Sequence, residues 1–160
     1  MRRTKKIRTV LTSVIIALIL AAGAGFGIYL LMRDTRSASE LFREGEKAFK
    51  SGNYDRAIEL YRKGISKEPG SSVGYNLLGM AYRFKYNEIG DRKFKNEEIR
   101  AFEKAILLDP RNHTALINLG VTLFYEGQKK KAAYYLKESL KVYPENPERL
   151  AIEDMIRQCE

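Results

Sequence analysis

Small and large apolar residues recur along this chain about every 34 residues, and no other feature of the sequence constrains the fold as much. Three blocks carry the pattern, in the following residues: Gly45, Tyr54, Ala57, Tyr61 and Pro69; Gly79, Tyr82, Phe102, Ala105 and Pro110; Leu119, Gly120, Gly127, Ala132, Leu136, Leu140 and Pro144. Within a block the apolar residues lie three to four positions apart, which indicates amphipathic helices. The glycines and alanines stand where two helices cross too closely for a larger side chain. The period therefore predicts an all-α array of stacked helix pairs.

Local signals predict the helix boundaries of the first block. Ser37 and Glu40 have the spacing of a capping box, so we expect a helix over residues 38–50. A short polar break separates it from a second helix over residues 54–66, which Pro69 terminates.

The second block is longer than the other two. Gly79 and Pro110 are 31 positions apart, whereas the corresponding interval in each of the other blocks is 24. The seven extra residues fall within residues 85–96, a segment rich in aromatic and basic side chains. Insertions in such arrays often form loops on a binding face, so this segment could grip a partner or touch a membrane. The alternative, which we favour, is a longer first helix with a solvated turn.

The third block begins at His113, and a further helix follows it. Asn146-Pro147 is typical of a helix start, and predicts a helix over residues 147–159. Its exposed side would carry Glu148, Arg149, Glu153, Asp154 and Arg157. A polar helix of this kind covers the apolar end of a stacked array.

The spacing of small, large and proline residues in these blocks resembles the tetratricopeptide repeat (TPR), a helix–turn–helix unit. The resemblance covers residues 38–160 and departs from the family pattern at Glu44, Gly64 and Glu98, where Leu, Ala and Ala are usual. It implies an all-α fold, a right-handed α-solenoid of three helix pairs with a C-terminal capping helix. The implied repeats are about 38–71, 72–112 with the seven-residue insertion, and 113–146, followed by the capping helix over 147–159.

In this family the first helix of each repeat lines a concave groove that binds peptides or helices. The resemblance assigns twelve residues to a partner-binding groove: Phe42, Glu46, Phe49, Asn76, Met80, Arg83, Phe84, Ile117, Asn118, Val121, Phe124 and Tyr125. Such an apolar, aromatic groove would suit an amphipathic helix or an extended segment. Alternatively, some of these side chains pack against a neighbouring repeat or the capping helix.

Some members of the family clamp the C-terminal carboxylate of a partner with Lys and Asn at set groove positions. Here Phe42 and Glu46 stand in two of those positions, and only Asn118 matches. The resemblance therefore argues against recognition of a chaperone tail of that kind.

A long apolar segment precedes the repeats. Residues 9–32 carry no charge, and a helix needs about 20 residues to cross a bilayer. The sequence therefore predicts a basic tail over residues 1–8, a transmembrane anchor over 9–32, a linker over 33–37 and a TPR domain over 38–160. Ala22-Gly23-Ala24 also looks like a signal-peptide cleavage site, so a secreted, cleaved protein is the alternative. The apolar run continues past that site, which favours an uncleaved anchor.

Charge beside the apolar segment predicts a membrane topology. Five basic residues and no acidic residue precede it, and positive flanks remain cytoplasmic. The expected localisation is the plasma (inner) membrane, single-pass, with a cytoplasmic N-terminus and an extracytoplasmic or periplasmic TPR domain. An organelle-membrane anchor with a cytosolic array is the eukaryotic alternative. Gly23 and Gly27 favour homo-association of such helices, although small residues are common in membrane helices.

The net charge of +9 does not indicate nucleic-acid binding, because the N-terminal tail contributes five of those charges. We expect no nucleic-acid partner; contact of the tail and insertion with lipid or nucleic acid is the alternative. The single histidine, His113, and the single cysteine, Cys159, offer no metal pair or disulfide, and no nucleophile motif is present. No enzyme activity, metal or cofactor is expected. The sequence predicts a membrane-anchored TPR scaffold that holds a protein or peptide ligand at the outer face of the plasma membrane, in secretion, envelope assembly or a membrane complex.

Overall fold

Seven helices follow one another along residues 35–160, the part of the chain that the computed structural model describes. They are α1 (Ala38–Lys50), α2 (Tyr54–Lys67), α3 (Ser72–Ile89), α4 (Arg92–Leu108), α5 (His113–Tyr125), α6 (Lys129–Val142) and α7 (Arg149–Cys159). The predicted tail, the transmembrane anchor over residues 9–32 and the glycines proposed for homo-association lie outside the described residues.

The helices pack in chain order as three antiparallel pairs and a terminal helix. The most extensive packing lies within α1–α2, α3–α4 and α5–α6, and the second helix of each pair also packs on the helix that follows it. The predicted all-α solenoid with a terminal helix is therefore confirmed for the described residues.

Side-chain caps begin most of the helices. Ser37 and Glu40 form the predicted capping box: the Ser37 hydroxyl accepts the Glu40 N–H at 3.2 Å, and the Glu40 carboxylate accepts the Ser37 N–H at 2.8 Å. These bonds satisfy backbone donors that a helix start leaves without a partner. The same pair lowers the pKa of the Glu40 carboxyl, chiefly through the backbone hydrogen bond from Ser37.

Glycine lets the helices of each pair approach closely. A Cβ added to Gly45 would lie 2.5 Å from the Tyr61 ring, and one added to Gly79 would lie 2.5 Å from the Phe102 ring. The third pair repeats the arrangement, because a Cβ at Gly120 would lie 2.7 Å from Leu136. The three large side chains are at most 1% exposed, so each glycine makes room for a large, buried side chain of the partner helix.

The seven extra residues of the second repeat are helical, so the loop interpretation was wrong and the longer-helix alternative is confirmed. Helix α3 has 18 residues where α1 has 13, and α4 has 17 where α2 has 14. Only Gly90 and Asp91 separate α3 from α4. Gly90 has a φ of 73°, a left-handed conformation that glycine adopts without steric cost. The two lengthened helix ends lie beside α5.

The last helix begins two residues later than predicted. Pro147 precedes the helix, and the Asn146 side chain accepts the Glu148 N–H at 2.7 Å in a turn. Helix α7 packs Ile152 and Ile156 against Leu136 of α6, which covers the end of the array as expected.

No helix within residues 35–160 is both long enough and apolar enough to cross a membrane.

Candidate functional site

Two openings lie beside α3 and involve the first helices of the repeats. The first, here called the apolar cleft, has a volume of about 190 Å³ and is lined by Glu46, Phe49, Lys50, Tyr61, Leu77 and Met80. The second, here called the polar pocket, has a volume of about 350 Å³ and is lined by Arg83, Tyr86, Asn87, Lys95, Glu98, Val121, Thr122, Tyr125 and Glu126. The two openings differ in chemistry although both use side chains of α3.

A cluster of aromatic rings adjoins the apolar cleft through Phe49. The ring centroid of Phe49 lies 5.0 Å from that of Phe84 and 5.6 Å from that of Tyr54, both in edge-to-face geometry. Phe84 remains 39% exposed, so this cluster presents an accessible apolar surface. Rings packed edge to face are suited to contacting an apolar side chain.

Glu98 is the centre of the polar pocket. Its carboxylate is fully buried and accepts hydrogen bonds from Arg83 Nε at 2.8 Å, Lys95 Nζ at 2.6 Å and Thr122 Oγ1 at 2.6 Å. A buried carboxylate is tolerated only when cations and donors surround it. Here those groups come from three helices, α3, α4 and α5.

Arg83 extends this network across the interface of α3 and α5. Its two terminal nitrogens donate to the Asn118 side chain at 3.0 Å, to the Asn118 carbonyl at 2.8 Å and to Thr122 at 2.8 Å. The Asn118 amide in turn donates to Asn76 Oδ1 at 3.0 Å. The guanidinium also lies over the Phe102 ring, 5.0 Å from its centroid. Within residues 35–160 every buried side-chain nitrogen and oxygen has at least one hydrogen-bond partner.

The rim of the polar pocket joins α4 to α5. Arg92 donates two hydrogen bonds to the Glu126 carboxylate, at 3.0 and 2.7 Å, and this pairing lowers the pKa of the Glu126 carboxyl and raises that of Arg92. The Lys95 ammonium lies 4.4 Å from the ring centroid of Tyr86. Tyr125 stands at the mouth and is 77% exposed.

The twelve predicted groove residues fall into four groups. The apolar cleft includes Glu46, Phe49 and Met80, with Phe84 in the adjoining aromatic cluster, and the polar pocket includes Arg83, Val121 and Tyr125. Asn76 and Asn118 are hydrogen-bonded to each other within the network. The remaining side chains pack inward: Phe42 against Gly64 and Gly74, Ile117 beside Leu136 and α7, and Phe124 beside Phe102 and Leu119. Contact of any of the twelve with a partner stays a prediction.

Sequence reasoning missed Lys95, Glu98 and Thr122 as site residues. The available signal was Glu98, which occupies a position where the family has a small residue between packed helices. An acid in a helix crossing requires nearby cations. Arg83 and Lys95 lie 15 and three positions away in sequence and were the candidates for that role.

Comparison with known proteins identifies the repeat. The sequence profile described as Tetratricopeptide repeat matches residues 38–71 and 113–146. The small glutamine-rich tetratricopeptide repeat-containing protein 2 of Mycosarcoma maydis is 29% identical over 113 residues, which are 71% of this chain and 30% of that protein. The Hsp70-Hsp90 organizing protein 1 of Glycine max is 29% identical over 126 residues, which are 79% of this chain and 20% of that protein. The chain thus spans less than a third of the length of either relative.

Solved structures share the fold. The first TPR domain of Spaghetti (RPAP3), bound to the HSP90 peptide SRMEEVD, has a TM-score of 0.66 and 25% identity, covering 79% of this chain and 92% of that one. The second TPR domain of human RPAP3, in complex with the HSP70 peptide SGPTIEEVD, has a TM-score of 0.65 and 25% identity. The match covers 75% of this chain and 94% of that one. The Sgt2 TPR domain of Aspergillus fumigatus, with a TM-score of 0.65 and 20% identity over 76% of each chain, shows the fold alone.

These findings contradict the predicted localisation. The relatives are named as small glutamine-rich and Hsp70-Hsp90 organizing repeat proteins rather than as membrane proteins. The expectation of a single-pass plasma-membrane protein with an extracytoplasmic TPR domain was therefore wrong. It depended only on local hydropathy and on the charges flanking residues 9–32, neither of which reports on the repeats.

Two matched repeats and the shared helical fold lead to one conclusion: residues 38–71 and 113–146 are tetratricopeptide repeats within an all-α solenoid.

Proposed function

We propose that residues 36–160 hold a short segment of a partner protein along the face made by α1, α3 and α5. The apolar cleft supports this proposal most. Its walls are Phe49, Leu77 and Met80, and its rim is Glu46 and Lys50, so an apolar side chain could enter while polar groups of the segment stay at the edge. Anchoring of apolar side chains in a groove is a common mode of peptide and helix recognition.

The surface differs from a carboxylate clamp at its α1 end. The Phe42 ring is half-buried against Gly64 and Gly74 and offers no positive charge, and Glu46 carries the wrong charge for a carboxylate. The matched RPAP3 domains bind acidic HSP90 and HSP70 peptides. We infer that this chain takes a segment whose first anchor is apolar.

Photo-crosslinking from two exposed tyrosines tests the proposed face. Tyr125 on α5 is 77% exposed and Tyr134 on α6 is 59% exposed, so replacing either with p-benzoylphenylalanine perturbs a comparable position. In cells of the source organism, we expect the Tyr125 probe to yield one dominant protein adduct, with the crosslinked segment mapped by mass spectrometry. The Tyr134 probe, on the second helix of the same pair, should not give that adduct. The same adduct from both positions, or from Tyr134 alone, would contradict the proposed face.

A charge placed in the apolar cleft should abolish binding of the mapped segment. Met80→Glu introduces a carboxylate that would have to be desolvated beneath the ligand, and we expect the Kd of the synthetic segment to rise at least about tenfold, as measured by isothermal titration calorimetry. Leu107→Glu is the matched control, because Leu107 is 72% exposed on α4, away from both openings. An unchanged Kd for a folded Met80→Glu variant would exclude the cleft as the anchor site.

A further inference from the structure

We propose that the polar pocket binds a carboxylate, supplied by an acidic side chain of the partner segment that occupies the adjoining face. This rests on the proposed function for the segment itself. It adds a second, chemically distinct anchor at the junction of α3, α4 and α5. The groups concerned are this chain's own departures from the repeat pattern: Glu98 and the lengthened ends of α3 and α4.

The charges around the pocket leave one positive charge uncompensated. Arg92 and Glu126 are bonded to each other at the rim, and their opposite charges cancel. On the floor, a single carboxylate, Glu98, is shared by two cations, Arg83 and Lys95. One more negative charge would make this cluster of five groups neutral.

Lys95 has hydrogen-bond donors left for that charge. An ammonium carries three N–H groups, and in the contacts of residues 35–160 Lys95 donates one hydrogen bond, to Glu98. Its position 4.4 Å from the Tyr86 ring centroid holds the ammonium at the pocket wall. The Lys95 side chain is 10% exposed and that of Arg83 is 22% exposed, so a carboxylate bound there is partly shielded from water. Shielding strengthens a charge-assisted hydrogen bond.

A cation is a poor fit for the same pocket. Glu98 Oε1 accepts from Arg83 and Thr122, and Oε2 accepts from Lys95, so both carboxylate oxygens are already engaged. Glu126 is held in a two-point bond by Arg92. The walls above the floor are Tyr86, Tyr125 and Val121, which would contact the methylene stem of an acidic side chain. A volume of about 350 Å³ accommodates a side chain rather than a whole domain element.

Three synthetic peptides test the carboxylate preference on the full-length chain. They are seven residues long, carry the same Leu and Phe flanks and blocked ends, and differ only in a central Glu, Gln or Lys. Fluorescence anisotropy gives their Kd values, and amide shifts of the ¹⁵N-labelled protein locate the site. We expect the Glu peptide to bind about tenfold more tightly than the Gln peptide and to shift the amides of Tyr86, Lys95 and Thr122.

Two variants move the preference in opposite directions. The Glu-to-Gln ratio is the affinity for the Glu peptide divided by the affinity for the Gln peptide. Lys95→Met should reduce this ratio to near one. Lys130→Met, which removes an exposed lysine on α6, should leave it unchanged. Glu98→Gln adds a second uncompensated positive charge and should raise the ratio further. Lys95→Met and Glu98→Gln perturb the buried network in different ways. If Lys95→Met does not fold, the Glu98→Gln result alone decides the test.

Equal binding of the three peptides, no binding of any, or preference for the Lys peptide would overturn the carboxylate site. A ratio unchanged or reduced in folded Glu98→Gln would also overturn it. The proposed function stands or fails separately, on the contrast between the Tyr125 and Tyr134 crosslinks.

Discussion

Arg83→Met is expected to lower the free energy of unfolding by about 3–5 kcal/mol, as measured by urea denaturation followed by circular dichroism. Methionine keeps the length of the side-chain stem but removes every donor. The fully buried Glu98 carboxylate then loses its bond to Nε, and the Asn118 carbonyl and Thr122 hydroxyl lose theirs. A buried charge deprived of a partner costs much more than the pair contributed, because the remaining ion stays desolvated.

Arg100→Met controls for the loss of a surface cation. Arg100 pairs with Glu97 on the same helix, and its side chain is 67% exposed, so we expect a change within about 0.5 kcal/mol. The triple variant Arg83→Met, Lys95→Met, Glu98→Leu removes all three charges together and should recover most of the stability, since apolar replacement of a buried ion cluster is often neutral. A loss below about 1 kcal/mol for Arg83→Met alone, or no recovery in the triple variant, would show that Glu98 does not depend on Arg83.

The helix boundaries could largely be predicted because their determinants are local. Ser37 and Glu40 act on each other across three residues, and the Gly45 and Tyr61 positions follow from the repeat itself. The second repeat was harder. Nothing in its sequence distinguishes a loop of twelve residues from two lengthened helices, because Gly90 is the single strong breaker in residues 85–96. A glycine marks where a turn can form, but the Arg92–Glu126 pair that joins the lengthened start of α4 to the end of α5 spans 34 positions and has no local signal.

The polar pocket could not be predicted from local signals. Arg83 and Asn118 are 35 positions apart, and Arg83 and Glu98 are 15 apart, so their contacts depend on the stacking of three helices. The family resemblance assigned groove positions from the first helices alone, and therefore omitted Lys95 and Glu98 of α4. It also could not distinguish Phe42, which fills space beside two glycines, from Phe49, which faces an opening.

Phe102→Ala is expected to lower the free energy of unfolding by about 3–5 kcal/mol, because it removes the central side chain of the second repeat. Phe102 is fully buried, and its ring lies against the bare backbone of Gly79 on one side and under the Arg83 guanidinium on another. Backbone on both helices limits how far the cavity can collapse, and a cavity that cannot collapse gives the larger cost. The variant should also weaken carboxylate binding, since the ring supports Arg83 from below.

Leu107→Ala separates the loss of packing from a general loss of apolar surface on the same helix. Leu107 is 72% exposed, so its truncation should change the free energy of unfolding by no more than about 0.5 kcal/mol. Phe102→Leu, which keeps most of the apolar volume, should lie between the two. If Phe102→Ala costs no more than Leu107→Ala, the Gly79–Phe102 contact does not hold α3 against α4. If Phe102→Ala destabilises the fold but leaves the Glu-to-Gln peptide ratio intact, Arg83 keeps its position through Glu98 and Asn118 alone.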